Sequence, residues 1–380
     1  MRVLAVALAV VLMFVVMVDA FEALVLPRRA MRRYRPARIF YRTAWATWRF
    51  LADTLLRGAM RQHFFSWFGP FSLLTLFAWW TAILIFSFAL LHWAIALPLG
   101  SSVEPPPFVA CLYLSGETFF TLGYGDISPT SWIGRLFSVM ESGVGFGFMA
   151  IVIGYLPVLY QAFSRRERDI ALLDARAGSP PTAGEMLRRL GATNSIDQIE
   201  PLLLEWERWA AELLESQLSF PVLGFYRSQH DNQNWLAGLA AILDTCAILL
   251  SNFPDMNRYQ VQITFAMARH AAVDLTLIYR TPKPAKAPER LSSERYHRFL
   301  TELHGTGLRI DCSEASFARL GELREMYEPF LTALSLYFEF RVPAVIAEDV
   351  PVDNWQRSPW QEKSPGIGKL PAIRPEEHFV

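Results

Sequence analysis

The chain is short of the residues on which enzyme centres and small secreted folds depend. Its 380 residues include three cysteines, Cys111, Cys246 and Cys312. Their spacing fits no metal-ligand pattern, and an odd number argues against a disulfide framework, so all three are expected to be reduced or buried. No Gly-x-Gly-x-x-Gly follows a candidate strand, which removes the dinucleotide-binding fingerprint. Strand alternation is scarce, too scarce for a cyclic-nucleotide barrel. There is no His/Cys/Asp cluster, nucleophile elbow or phosphate loop, so a catalytic reading has no residues to stand on and no cofactor is expected. Charge is sparse at 19% and sums to zero, which gives no reason to expect a nucleic-acid partner.

Apolar side chains are what the sequence has in quantity: 52% of residues are hydrophobic and 14% aromatic. That is too apolar for an ordinary soluble protein, and the length allows a membrane part plus one soluble domain. Residues 3 to 26 are almost continuously apolar, enough to cross a hydrocarbon core of about 30 Å. Arg2 and the Val18-Asp19-Ala20 run fit a cleaved signal loosely. The length favours a retained helix, and so does the strongly basic stretch after it. Ten arginines (Arg28, Arg29, Arg32, Arg33, Arg35, Arg38, Arg42, Arg49, Arg57 and Arg61) stand against the single acid Asp53. Arginine marks the cytoplasmic flank of a membrane helix, so the N-terminus is expected outside.

Residues 27 to 38 contain two prolines and little apolar sequence, so they cannot be a voltage-sensing span. They read as a basic cluster, Arg28 to Arg42, attracted to anionic lipid. Tyr41, Ala44, Trp45, Trp48, Leu51, Ala52, Leu55 and Ala59 then follow helical spacing, as in a helix lying in the membrane interface. A cytosolic helix packed on the C-terminal half is the alternative. His63 to Gly69 reads as an aromatic belt, after which Pro70 is expected to open a second span reaching Leu97. His92, near its outer end, reads as an interfacial residue. An outer loop, 98 to 107, closes with three prolines.

Between that loop and a third apolar segment lies Thr121-Leu122-Gly123-Tyr124-Gly125-Asp126. Alternate glycines reach φ > 0 without steric cost, so successive carbonyls can turn toward one axis. Such a ring of oxygens suits dehydration of a monovalent cation. The run resembles the selectivity filter of potassium channels, the standard example of ion selectivity by backbone carbonyls. Ser115-Gly116-Glu117-Thr118-Phe119-Phe120 upstream is similar to the pore helix of bacterial two-helix potassium channels. Trp132, Arg135 and Gly145 fall near the offsets expected of their inner helix. The resemblance covers about residues 70 to 165.

That resemblance implies K+ binding by Thr121, Leu122, Gly123, Tyr124 and Gly125, with a pore helix over about 108 to 119. It implies that Glu117 and Asp126 share a proton or water behind the filter. Tyr113 stands where the family often has tryptophan. It also places a gating hinge at Gly145; close packing of the glycines Gly143, Gly145 and Gly147 is the other reading. The amphipathic helix after the arginines is similar to the slide helix of inward-rectifier channels.

The third span is expected from Trp132 to Phe163, kinked by Pro157 and ending inside at Arg165-Arg166-Glu167-Arg168. Glu141 is an intramembrane carboxylate, either functional or hydrogen-bonded to the pore helix. One filter per chain supplies a quarter of an ion path, so a homotetramer is expected. The only candidate for a second filter, Gly145-Phe146-Gly147, lies within the third helix and lacks an aspartate.

From Asp169 the chain reads as an all-α soluble domain, with helical periodicity over 200–218, 234–252, 260–280, 293–304 and 314–340. Residues 235 to 251 are apolar enough to span, but Asp244 in the middle argues for a buried helix. Residues 227 to 234 either cap that helix or bind an anion at its N-terminus. No family is identifiable for this half, and its ligand is unknown.

The expected architecture is therefore all-α. An N-terminal transmembrane helix (1–26) leads into a basic interfacial segment (27–68) and a pore domain (69–164). A helical cytoplasmic domain (165–345) and a Pro-rich tail expected to be disordered (346–380) complete it. The expected function is K+ conduction by a homotetramer in the inner membrane, with the C-terminal domain in the cytoplasm. A potassium-uptake subunit and a sensor with a non-conducting pore are the alternatives.

Overall fold

The computed structural model describes residues 1–26, 35–96, 98–101, 107–230 and 232–347. Arg28, Arg29, Arg32 and Arg33 of the basic cluster lie outside the described residues, as does nearly all of the proposed tail. The chain divides into two compact units, Met1–Gln161 and Ala162–Val380.

The first unit contains α1 (Arg2–Leu24), α2 (Pro36–Leu55), α3 (Gly58–Ile95), α4 (Pro107–Phe119) and most of α5 (Trp132–Ala177). Two short strands, β1 (Leu99–Ser101) and β2 (Ile127–Pro129), pair antiparallel with Gly100 opposite Ser128. They tie the chain after α3 to the chain after Asp126. α1 lies against α3, where Ala9 packs on Leu90 and Leu91. The small side chain of Ala9 permits that close approach.

At the other end of α1, Asp19 is buried. Its Oδ2 accepts from the Ala37 amide at 2.9 Å and from the Trp80 indole at 3.1 Å. The N-cap residue of α2, Arg35, makes no capping bond with its own side chain. A carboxylate from another helix therefore satisfies one of the free N–H groups that begin α2. Arg35 in turn pairs with Glu22 of α1 at 3.3 Å. Asp19 was legible in the sequence only as part of a loose cleavage signal; here it joins three helices.

α2 buries Ala37, Trp45 and Ala52. Trp45 packs between Phe65 and Phe68, at 5.4 and 4.7 Å between ring centres. Trp48 stacks on Phe64 at 4.3 Å and donates to its carbonyl at 3.1 Å. The partner of α2 is thus α3, and much of the aromatic belt is the seam between them; Trp67 remains exposed. That seam explains a departure from expectation. Pro70 does not open α3 but sits inside it, twelve residues after Gly58. Proline removes one intrahelical hydrogen bond. Membrane helices tolerate that loss, and here the aromatic contacts hold the preceding turns helical.

The second unit comprises the end of α5 with α6 (Ala183–Ala192), α7 (Ile199–Ser219), α8 (Trp235–Asn252), α9 (Arg258–Tyr279), α10 (Ser293–His304), α11 (Glu314–Glu325) and α12 (Glu328–Phe338). Side-chain caps start several of them: Thr182 on Glu185, Asn234 on Ala237, and Ser313 on Ser316. Asn234 thus settles the polar run before α8 as a cap. The helix expected over 314–340 is two helices, because Pro329 falls in the first turn of α12 and cannot donate backward. α5 continues to Ala177, well past the expected end at Phe163.

α8 is long and apolar enough to cross a membrane, as are α1, α3 and α5. Every one of its residues is nevertheless enclosed by the other helices of its unit. Asp244 at its centre bonds to Arg290, and the Tyr327 hydroxyl donates to it at 2.7 Å. Arg290 also reaches both oxygens of Glu328 at 3.1 Å. Burial works against the Arg290 charge, but the two carboxylates outweigh it and push the guanidinium above its ordinary value. α8 is the core of a helical bundle.

Candidate functional site

The site is built on the C-terminal end of α4. Past Phe119 the helix unwinds through backbone bonds from Thr121 to the Thr118 carbonyl and from Leu122 to the Glu117 carbonyl. From there the chain alternates. Thr121, Gly123 and Gly125 have φ of 56°, 66° and 75°, while Leu122 and Tyr124 stay on the negative side. Alternating left- and right-handed residues can turn successive carbonyls to one side of a strand, the geometry a row of cation ligands needs. Both glycines adopt this conformation freely. Thr121 is the position sequence reasoning did not single out for it; a non-glycine residue there costs on the order of 1–3 kcal/mol and marks a constrained segment. The side chains of Leu122 and Tyr124 are largely exposed on the single chain, at 57% and 71%.

Behind this segment Glu117 is buried and takes the Tyr124 amide as hydrogen-bond donor. The Tyr113 hydroxyl donates to Asp126 Oδ1 at 3.2 Å. Tyr113 and Asp126 are thus brought together. Among the described residues no hydrogen bond links Glu117 to Asp126. On the far side of Asp126, the Arg135 guanidinium of α5 donates to the Pro129 carbonyl at 3.3 Å.

A second polar cluster lies deeper. Glu141 of α5 is fully buried. Its Oε2 is 3.2 Å from His92 Nε2 of α3, and its Oε1 is hydrogen-bonded to the Ser115 hydroxyl of α4. Ser115 also lies 2.8 Å from the Ile85 carbonyl of α3. His92, expected only as an interfacial residue, is 1% exposed and pairs with Glu141 of α5. Its distance in sequence from Glu141 hid the pairing, although an intramembrane histidine and an intramembrane carboxylate are natural partners.

Gly145 of α5 meets the backbone of Phe119, where a Cβ would lie 2.1 Å from the carbonyl oxygen. Gly143 and Gly147 meet nothing within 4 Å in the chain itself. Pro157 sits within the continuous α5. Among the described residues no group of His, Cys, Asp and Glu side chains could hold a metal ion.

Comparison with known proteins bears on this segment. Residues 73–161 match the family described as "Ion channel". Over 154 residues the chain is 24% identical to "Uncharacterized membrane protein YdjJ" of Bacillus subtilis (strain 168), covering 40% of this chain and 44% of that protein. It is 49% identical over 47 residues to "Two-pore potassium channel 2" of Arabidopsis thaliana, 12% of this chain and 11% of the other. "Two-pore potassium channel 3" of the same plant matches at the same identity, length and coverage. The chain spans less than half the length of these curated relatives. No solved structure matches. The molecule is an all-α protein with long apolar helices consistent with a multi-span membrane bundle, and its residues 73–161 are similar to an ion-channel family.

Proposed function

We propose that the chain is one subunit of a potassium-selective channel, with Thr121 to Gly125 replacing the water shell of K+. The observation that carries this reading is the alternation of positive φ at Thr121, Gly123 and Gly125, directly after a half-length helix. Backbone irregularity of this kind is tolerated in a membrane only where protein or a water-filled cavity surrounds it. The C-terminal end of α4 carries partial negative charge and favours a cation approaching the strand. Each chain contributes one strand, so four copies related by cyclic symmetry complete the path. The exposed Leu122 and Tyr124 side chains are surfaces such neighbours would cover.

In this reading α5 is the inner helix and gates the path, with Gly145 and Pro157 as its points of bending. Glu117, Asp126 and Tyr113 brace the filter from behind. The N-terminus faces out, the second unit lies in the cytoplasm of a cell with the protein in its inner membrane, and the arginines from Arg28 to Arg42 meet anionic lipid. The second unit biases the gate in response to a ligand of unassigned chemistry.

The test is flux through the purified protein in liposomes under a K+ gradient and then a Na+ gradient. The expected result is K+ flux well above Na+ flux, abolished by Gly123→Ala, because alanine at a φ of 66° disrupts the row of carbonyls. Equal Na+ and K+ flux from a folded tetramer would reject selectivity. Conduction left intact by Gly123→Ala would reject the assignment of the filter.

A further inference from the structure

The His92, Glu141 and Ser115 cluster contains more information than its distances alone, because its protons can be counted. Ser115 carries one hydroxyl proton yet sits within bonding distance of two acceptors, the Ile85 carbonyl and Glu141 Oε1. His92 Nε2 faces Glu141 Oε2, whereas its Nδ1 is buried with no hydrogen-bond partner. Three proton arrangements with a proton on His92 Nε2 are compared.

With Glu141 ionised and His92 neutral, a lone carboxylate is buried among three helices with no counter-charge, a large desolvation cost. With Glu141 ionised and His92 as imidazolium, Nδ1 becomes a charged donor buried against nothing, and an unmade bond to a charged group is expensive. Ser115 must then give its proton to the carboxylate, leaving the close approach to Ile85 without a hydrogen bond. With Glu141 as a carboxylic acid, its O–H donates to Ser115 Oγ, and Ser115 donates to the Ile85 carbonyl. Neutral His92 donates from Nε2 to Glu141 Oε2, and only an Nδ1 lone pair is left bare. Each close pair is then a hydrogen bond and the cluster carries no net charge.

The surroundings agree. No titratable side chain other than His92 bonds to Glu141 among the described residues. On α4, Glu117 is engaged with the Tyr124 amide and Cys111 is a buried neutral thiol. On α5, Arg135 is turned to the Pro129 carbonyl. On α1, Asp19 is engaged by Trp80 and Ala37.

We infer that Glu141 is a proton-binding site: it holds a proton at neutral pH and uses it to relay a hydrogen bond through Ser115 to Ile85, fastening α4 to α3 and α5. Release of that proton turns Ser115 toward the new carboxylate and away from Ile85, so the pore helix loses its bond to the outer helix as pH rises.

The test uses the full-length protein in lipid bilayers and does not depend on conduction. Infrared difference spectra between wild type and Glu141→Gln are expected to show one protonated-carboxyl C=O band lost at neutral pH. Glutamine reproduces the acid's donor and acceptor, so this variant is expected to unfold close to the wild-type temperature, whereas Glu141→Ala unfolds earlier. Nitrogen NMR of labelled histidine is expected to give a neutral His92 ring. An imidazolium His92, or no carboxyl band lost in Glu141→Gln, would overturn the assignment. So would a glutamine variant as unstable as the alanine one. As a second readout, thermal stability of the wild type is expected to decline as pH rises from the ordinary carboxyl range through neutral, in a component that Glu141→Gln lacks; an identical profile in both counts against the relay.

Discussion

Gly145 and the carbonyl of Phe119 are in direct backbone contact: a Cβ on Gly145 would come within 2.1 Å of the Phe119 oxygen. Close packing of α5 on the end of α4 therefore needs a residue without a side chain at this one position. Gly145→Ala is expected to destabilise the folded protein by about 1–3 kcal/mol, as overpacking does. Gly143→Ala and Gly147→Ala meet no neighbour within their own chain and are expected to be tolerated. Thermal unfolding of the three variants in detergent checks the contrast. Equal losses in all three would show that contacts beyond the single chain dominate.

Asp19 is held from two sides, by the Trp80 indole and the Ala37 amide. Asp19→Ala leaves both donors buried and unpaired, a loss of about 1–3 kcal/mol. Trp80→Phe removes one of the two bonds and is expected to cost less. Protease sensitivity of the α1–α2 connection, compared among the three proteins, reads whether α2 has come away from α1. No change in Asp19→Ala would mean the carboxylate does not position α2.

Arg290 bridges Asp244 and Glu328 at the centre of the second unit, with the Arg324 guanidinium also 2.7 Å from Glu328. Arg290→Met strands the buried carboxylate of Asp244 and leaves Glu328 with Arg324 alone, which costs about 3–5 kcal/mol. Replacing Asp244, Glu328 and Arg290 together by apolar residues of similar volume is expected to cost far less, because the stranded charges go with their partner. Denaturant unfolding of the single and triple variants tests this. A triple variant as weak as the single one would show that the ionic group specifies the fold rather than merely being tolerated in it.

Tyr296 and Tyr327 are fully enclosed, and burial pushes both phenols up from their ordinary value of 10.0. Unfolded, they ionise near that value; folded, they keep their protons. Their contribution to stability is thus intact below pH 10 and falls as pH rises, by about 1.4 kcal/mol per pH unit for each phenol. Tyr226, half-buried, is pushed up to about 12 in the same direction. In an alkaline titration the buried phenols are expected to ionise together with loss of structure. Tyrosinate absorbance recorded beside circular dichroism checks this, and a single smooth titration ahead of unfolding would contradict it.

What was legible in the sequence followed its strongest local signals. The alternation around Gly123 and Gly125 is dictated by backbone sterics, so positive φ could be expected there from residue type alone. Start and end of α4 were readable from the prolines before it and the glycines after it. Pro70 misled because a proline can open a helix or sit within one; the packing of Trp45 and Trp48 on Phe64, Phe65 and Phe68 decides which, and that packing is not local. The pairing of His92 was missed for a related reason. Its partner is 49 residues away, and only the folded arrangement of α3 and α5 shows that the ring turns inward. α6 was missed because it is short and its ten residues include two glycines, although its apolar face is clear. Glu141 was read as either functional or hydrogen-bonded to the pore helix, and that Ser115 is the residue it meets needed the structure.

The three cysteines lie in unequal surroundings: Cys111 and Cys246 are buried, and Cys312 alone is exposed, just before the N-cap of α11. The native protein therefore offers a single thiol to a spin label, and no cysteine has to be replaced beforehand. In a ring of four such labels the separations can take only two values, related as the side of a square to its diagonal, whereas a pair of chains yields one. A dipolar spectrum from unmodified protein would thus count subunits directly.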